Sequence, residues 1–190
     1  MSESAQMNDA KKDIRIEMRR RAAAFRVSAG EAGLDSASAS IWHQLEALPE
    51  FINAECVLIY MSIPGEVQTR GFIARWRSKK RFVLPLVCGE RLEIRAYGSQ
   101  WLVPGYRGIE EPSAEAPLVD PSEVELALVP GMAFARTPSG VLRMGRGGGF
   151  YDRLLPQLSC PTIGLCYSYR LLDSIPTDPW DIPLTNVICE

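Results

Sequence analysis

The chain has 190 residues, with 21 Lys and Arg against 23 Asp and Glu, a net charge of −2, and 46% hydrophobic, 23% charged and 8% aromatic residues. That much apolar side chain offsets the entropy of ordering a chain of this length, which excludes a disordered polypeptide and suits one domain over 1–190. No run approaches the roughly 18 apolar residues of a membrane span. The opening MSESAQMNDAKKD lacks the apolar centre of a secretory signal. The near-neutral balance removes the global reason to expect nucleic acid. A cytoplasmic protein is expected.

The first element in chain order is a helix over 9–27, with Asp9 as its N-cap and Ile14, Met18, Ala22 and Phe25 on one apolar stripe. Its remaining surface carries Lys11, Lys12, Arg15, Arg19, Arg20, Arg21 and Arg26 against Asp13 and Glu17. Either this is a solvated face with i,i+4 pairs, or Lys11 and Arg15, one turn apart, form an anion site. The stretch 28–40 breaks the pattern, and Asp35 or Ser36 caps a second helix carrying Ile41, Leu45 and Leu48. CVLIYMS from Cys56 is a continuous apolar run, as expected of a strand covered on both faces. Thr69 opens a helix with Phe72, Ile73 and Trp76 inward, and 81–87 is the next strand. Arg91 to Tyr97 alternates, which predicts an antiparallel or edge strand. A loop with Pro104, Gly105 and Gly108 and a Pro- and acid-rich crossing through Pro121 follow. Strands at 124–130, 162–168 and 186–190, a turn at 137–140 and a helix over 150–158 complete the series. Strands alternating with helices predict a three-layer α/β/α domain with a mainly parallel sheet.

The five cysteines, 56, 88, 160, 166 and 189, form no CxxC pair and sit mostly in apolar surroundings, so they read as reduced structural thiols. The single histidine, His43, cannot build a His-rich metal site and has no GxSxG elbow to serve.

The most informative segment is GMAFARTPSGVLRMGRGGGFYDR, from Gly131 to Arg153. Gly145, Gly147, Gly148 and Gly149 let main-chain N–H groups curl toward an anion, and a helix begins directly after them. Arg143 and Arg146 add charge suited to phosphate. The pattern is neither GxxxxGK[ST], since Gly147 follows Arg146, nor GxGxxG, since Phe150 stands at the last position. A tight turn and a phosphate loop both remain open. Asp152 either favours the helix dipole or holds Mg²⁺ beside a phosphate; Asp181 either serves a turn or does the same. MSIPGEV, Met61 to Val67, follows the first strand, where open α/β sheets bind ligands. Glu66 there is placed to accept from a ligand N–H, and Met61 to form an adaptable apolar wall.

Taken together, LVPGMAFARTPSGVLRMGRGGGFYDRLL (Leu128 to Leu155), KKDIR, IYMSIPGEVQT and the C-terminal TIGLCYSYRLLDSIPTDPWDIPLTNVICE resemble the 5-formyltetrahydrofolate cyclo-ligase family, in the right order over nearly the whole chain. The resemblance implies a fold similar to the sugar-phosphate isomerase and CoA-transferase type. It implies Mg-ATP-dependent conversion of 5-formyltetrahydrofolate into 5,10-methenyltetrahydrofolate, with ADP and phosphate released. By motif, Lys11, Lys12, Asp13, Ile14 and Arg15 would take the nucleotide, together with Arg143, Met144, Gly145, Arg146, Gly147, Gly148, Gly149, Phe150 and Tyr151. Met61 and Glu66 would contact the folate, along with Arg146 to Phe150; Arg146 and Phe150 would be catalytic, and Asp152 and Asp181 would position Mg²⁺. Members often carry an aromatic where Arg146 stands, Tyr where Phe150 stands and an acid where Arg136 stands. The implied partners are ATP and a folate, with or without a polyglutamate tail, for a monomer with neither membrane nor nucleic acid. The competing readings are an isomerase or CoA transferase of the same fold, a non-catalytic nucleotide or folate binder, and an RNA partner for the basic helix.

Overall fold

The protein is described by a computed structural model over residues 3–105 and 110–190. The expected glycine at 108 lies outside the described residues.

A six-stranded sheet has the order β10-β9-β6-β1-β2-β3. Its strands are β1 (Cys56–Leu58), β2 (Arg81–Cys88), β3 (Arg91–Ala96), β6 (Leu126–Val129), β9 (Thr162–Leu165) and β10 (Asn186–Ile188). All neighbouring pairs run parallel except β2 with β3, which forms the antiparallel edge that alternation predicted. β1, β6 and β9 are buried along their whole length, which explains why their sequences are apolar without alternation. Two antiparallel ribbons stand outside the sheet: β4 (Leu102–Pro104) with β5 (Glu110–Pro112), and β7 (Ala133–Thr137) with β8 (Gly140–Met144). The second is the hairpin expected around 137–140. Arg136 lies in β7, where Nη2 donates to the Val187 carbonyl at 2.9 Å, tying the ribbon to β10.

The helices differ from expectation at their ends. α1 runs over Glu3–Glu46, so Asp9 is interior rather than a cap. The break is confined to Gly30, with φ 63° and ψ −176°, rather than spread over 28–40. Only glycine adopts that conformation cheaply, so one residue redirects the chain and neither Asp35 nor Ser36 is needed as a cap. The expected helix over 150–158 is α4 (Phe150–Leu154) followed by a 3₁₀ turn over Leu155–Gln157, because Pro156 removes a donor. α2 (Pro49–Asn53) and α3 (Arg70–Trp76) are short.

The two sheet faces have different covers. Ile41, Trp42 and Leu45 of α1, with Phe51 and Phe72, pack on Val57, Ile59, Leu84, Leu126 and Leu128. Trp42 stacks on Phe72 with ring centroids 4.0 Å apart. On the opposite face Leu58, Val83, Ala127 and Val129 meet Phe134, Val141, Leu154 and Leu184. That layer is the β7–β8 ribbon, α4 and the C-terminal loop, so it is thinner than the helical one. The first half of α1 packs on the ribbon instead: Met18, with Ile14 beside it, contacts Met132, Ala133, Ala135 and Met144. The predicted apolar stripe is therefore real, and it holds the helix across one end of the sheet.

The basic face of α1 is partly neutralised. Glu17 accepts from Arg20 at 2.7 Å and from Arg21 at 2.8 Å, and Lys11 is buried. His43 is exposed on the helix surface, and the five thiols are free. No described helix is long and apolar enough to cross a membrane.

Candidate active site

A cavity of about 570 Å³ opens beyond the carboxyl ends of β1 and β6. β2 continues the sheet on one side of β1, whereas β6 and β9 lie on the other, so the cavity sits at a topological switch point. The chain leaving β1 supplies Tyr60, Met61, Ile63 and Glu66; that leaving β6 supplies Pro130 and Gly131. The first half of α1 contributes Lys11 and Arg15, the end of β8 contributes Arg143 and Met144, and the segment after it Gly145 to Asp152. Leu84, Pro85, Val87 and Leu92 form an apolar wall from β2 and β3. The volume lies in the range of small-molecule sites.

The turn after β8 uses its glycines. Gly147 has φ 107° and Gly149 φ 64°, both in the region that side chains rarely adopt. A Cβ on Gly147 would lie in ordinary contact with the Arg15 guanidinium, 3.7 Å away, so the positive φ rather than crowding is what calls for glycine there. Arg15 Nε donates to the Gly145 carbonyl at 3.0 Å, and Arg153 Nη2 to the Gly148 carbonyl at 2.7 Å. The turn is thus fixed from both sides by guanidinium groups. Because α4 is a single turn, main-chain N–H groups and nearby cations matter more here than a long helix dipole.

Three cations form four ion pairs inside the cavity. Lys11 Nζ lies 2.7 Å from Asp178 Oδ2 and 2.7 Å from Asp181 Oδ2. Desolvation lowers the Lys11 pKa, but hydrogen bonds to the two carboxylates outweigh it and hold the value above the ordinary one. Asp181 Oδ2 also accepts from the Asp178 N–H at 2.8 Å, which closes the turn that presents both acids. Arg143, only 5% exposed, reaches Asp152 Oδ1 with Nη2 at 2.7 Å and lies over the Tyr151 ring. Arg146 Nη2 sits 3.0 Å from Glu66 Oε1. Glu66 is held by its own turn, since Oε2 accepts from the Ile63 N–H at 3.2 Å. Each pair joins a cation that suits phosphate to a carboxylate that suits a metal or an N–H edge. A ligand carrying both polyphosphate and cation can exchange partners with these pairs without leaving a charge unpaired.

The structure brings together Lys11, Arg15, Met61, Glu66, the whole of Arg143 to Asp152, and Asp181. It does not bring Lys12, Asp13 or Ile14 to the cavity: Lys12 and Asp13 are exposed on the outer side of α1, and Ile14 joins the packing under Met18. Only one helical face can meet the cavity, and Lys11 and Arg15 occupy it. Asp178, Tyr60, Trp180 and the wall from β2 and β3 also line the cavity, beyond the residues expected from the sequence. Asp178 and Asp181 flanking a Pro-Trp turn was a usable signal; the others needed the tertiary arrangement.

Among the described residues no group of three or more His, Cys, Asp or Glu is gathered for a metal. Mg²⁺ beside a nucleotide needs only one or two carboxylates, the rest of its shell being phosphate oxygens and water. Asp152 and Asp181, both lining the cavity, fit that requirement.

One further residue organises the site from behind. Arg170, 3% exposed, donates through Nη1 to the carbonyls of Gly131 (3.0 Å) and Met132 (3.1 Å), and through Nη2 to Gly65 (2.8 Å). It ties the loop after β1 to the loop after β6. Tyr169 Oη adds a second donor to Gly65 at 2.9 Å.

Comparison with known proteins gives the following. The 5-formyltetrahydrofolate cyclo-ligase family model matches residues 7–190. The 5-formyltetrahydrofolate cyclo-ligase of Escherichia coli K12 is 31% identical over 149 residues, covering 74% of this chain and 80% of that protein. The NMR structure of Aquifex aeolicus 5,10-methenyltetrahydrofolate synthetase superposes with a TM-score of 0.77 at 31% identity, over 92% of this chain and 89% of that one. The Mycoplasma pneumoniae 5,10-methenyltetrahydrofolate synthetase shares the fold, with a TM-score of 0.73 at 23% identity over 94% and 98%.

Proposed function

The chain belongs to the 5-formyltetrahydrofolate cyclo-ligase family, and from that premise we propose that it converts 5-formyltetrahydrofolate into 5,10-methenyltetrahydrofolate with consumption of ATP. The observation that carries the proposal is one cavity lined by two chemically different sets, Lys11, Arg15 and the Gly145–Gly149 turn in the first and Glu66, Met61 and an apolar wall in the second, joined by the Arg146–Glu66 ion pair. The first set suits a triphosphate and the second a flat, partly apolar heterocycle with N–H groups.

The chemistry follows from the substrate. A formamide oxygen is a poor leaving group because the amide is resonance-stabilised. In this reading the γ-phosphoryl of ATP moves to that oxygen, giving an N5-iminium phosphate and ADP. N10 attacks the formyl carbon, loses its proton, and the C–O bond breaks to release phosphate and leave the methenyl bridge. No covalent adduct with the protein is required. Its contribution is positioning and charge stabilisation, as in other phosphoryl transfers.

Residue roles follow from place and charge. Lys11 and Arg15 take phosphate oxygens, with the N–H groups of the glycine turn. Arg146, rooted in that turn and beside Glu66, stabilises the group in transit; Phe150 closes the wall next to it. Arg143 is already taken by Asp152, so its part is to orient that carboxylate and the Tyr151 ring. Asp152 and Asp181 would hold Mg²⁺, which when bound neutralises phosphate charge. Met61 and Glu66 hold the folate.

The test is a mixture of purified protein, 5-formyltetrahydrofolate and Mg-ATP, followed by absorbance of the methenyl product. Product should accumulate in proportion to ATP and stop when ATP is omitted. No absorbance change with ATP present, or turnover without ATP, contradicts the proposal; the latter result would favour an isomerase or transferase.

A further inference from the structure

Two tyrosyl hydroxyls at the cavity have no hydrogen-bond partner: those of Tyr60, just past β1, and Tyr151, in the first turn of α4. Buried polar groups are ordinarily paired, and these two hydroxyls, with the Arg143 Nε–H as a third unpaired donor in the same cavity, ask for an explanation. Tyr60 is the stronger case, since the residue is only 4% exposed. Burial raises both pKa values, and the Glu66 charge adds to the rise in each. Both groups therefore stay protonated at neutral pH, as donors, and Glu66 lies within electrostatic reach of both. The cations at the cavity are engaged with carboxylates or suited to phosphate, so these hydroxyls are neutral donors left over for a neutral acceptor.

We infer that the Tyr60 hydroxyl donates to a ring carbonyl oxygen of the bound heterocycle, beside the N–H groups that Glu66 accepts from. The inference rests on the folate reading given above and deepens it. A reduced pterin carries, along one edge, a 2-amino group, the N3–H and the C4 carbonyl. A carboxylate matches the first two, as it matches a guanidinium edge. The neighbouring carbonyl then needs a donor, and a neutral hydroxyl supplies one without competing for the carboxylate's charge. An inverted ring would turn the carbonyl toward Glu66 and leave Tyr60 unpaired, which disfavours that pose. Tyr60 and Glu66 together would thus fix which way the ring faces. This makes Tyr60 a specificity-determining contact rather than a participant in phosphoryl transfer.

The test compares wild type with Tyr60→Phe by calorimetric binding of 5-formyltetrahydrofolate and of a non-hydrolysable ATP analogue, with ligand-free thermal melts alongside. Folate affinity should fall about tenfold, the worth of one buried hydrogen bond. ATP-analogue affinity should hold within about twofold, and the ligand-free melting point should stay level or rise, because an unpaired hydroxyl has been removed. Unchanged folate affinity overturns the assignment, and so does a lower ligand-free melting point with unchanged folate-induced stabilisation, which marks a purely structural hydroxyl. A second measurement needs no variant: a 4-amino-4-deoxy analogue of the folate, with a donor in place of the carbonyl, should bind wild type more weakly. Equal binding of the two by wild type also overturns it. Wild-type protein that binds no folate defeats the functional reading itself; wild-type binding left unaltered in Tyr60→Phe defeats this inference alone.

Discussion

Replacing Arg146 by alanine should lower kcat by about 10²–10³-fold while changing the folate KM only a few-fold, the scale of losing one preorganised donor at a site of developing charge. Arg146 stands between Gly145 and Gly147 in a turn that Arg15 and Arg153 fix from outside, so its guanidinium is carried on a rigid base. Its side chain is 51% exposed and its Glu66 contact is made at the cavity rim, where an ion pair contributes roughly 0–1 kcal/mol to stability. The variant should therefore melt within a few degrees of wild type, which separates chemistry from folding. Arg146→Lys should recover only part of the loss, because an ammonium keeps the charge but not the planar fork. Steady-state formation of the methenyl product checks this. A kcat equal to that of wild type removes Arg146 from the mechanism.

The second large effect is on architecture. Arg170→Met should destabilise the protein by about 3 kcal/mol, since buried carbonyls left without a donor cost roughly 1–3 kcal/mol each. The carbonyls of Gly131 and Met132 lose their Arg170 donor, whereas that of Gly65 keeps the Tyr169 hydroxyl. For a chain of this size that corresponds to a fall in melting temperature on the order of 10 °C. The loops carrying Glu66 and Pro130 are joined through this one side chain. Below the melting transition, KM for both substrates should therefore rise together, unlike the split expected for Arg146. Calorimetric melting and initial rates at a temperature where both proteins are folded check the pair of effects. An unchanged melting temperature would show that the arginine carries no such burden.

The sequence disclosed the strands best. Continuous apolar runs at Cys56, Leu126 and Thr162 can only be satisfied between two covering layers, and alternation at Arg91 to Ala96 can only suit an edge. The helix ends were less legible because capping residues are common and tertiary packing decides which are used. Asp9 looked like a cap but lies inside α1, and the serines of 28–40 stay helical because Leu34, Ala37 and Ser38 pack inward. Of the site, the glycine turn, Lys11, Arg15 and Glu66 were visible through residue type and spacing, and the family resemblance extended the set. That resemblance also brought in Lys12, Asp13 and Ile14, which helical geometry turns away from the cavity. Arg170 carries no local signal of its role, since its partners Gly131, Met132 and Gly65 lie 39, 38 and 105 residues away in two separate loops. The apolar wall of Leu84 and Leu92 was hidden for a related reason: core and pocket residues look alike until a fold leaves a space beside some of them.

The most direct measurement follows an oxygen atom. If the γ-phosphoryl is transferred to the formyl oxygen at this cavity, substrate carrying ¹⁸O in its formyl group must deliver that label to inorganic phosphate. The account predicts one labelled oxygen per phosphate released in a single turnover, read by mass spectrometry. Label recovered in water, with none in the phosphate, would contradict it.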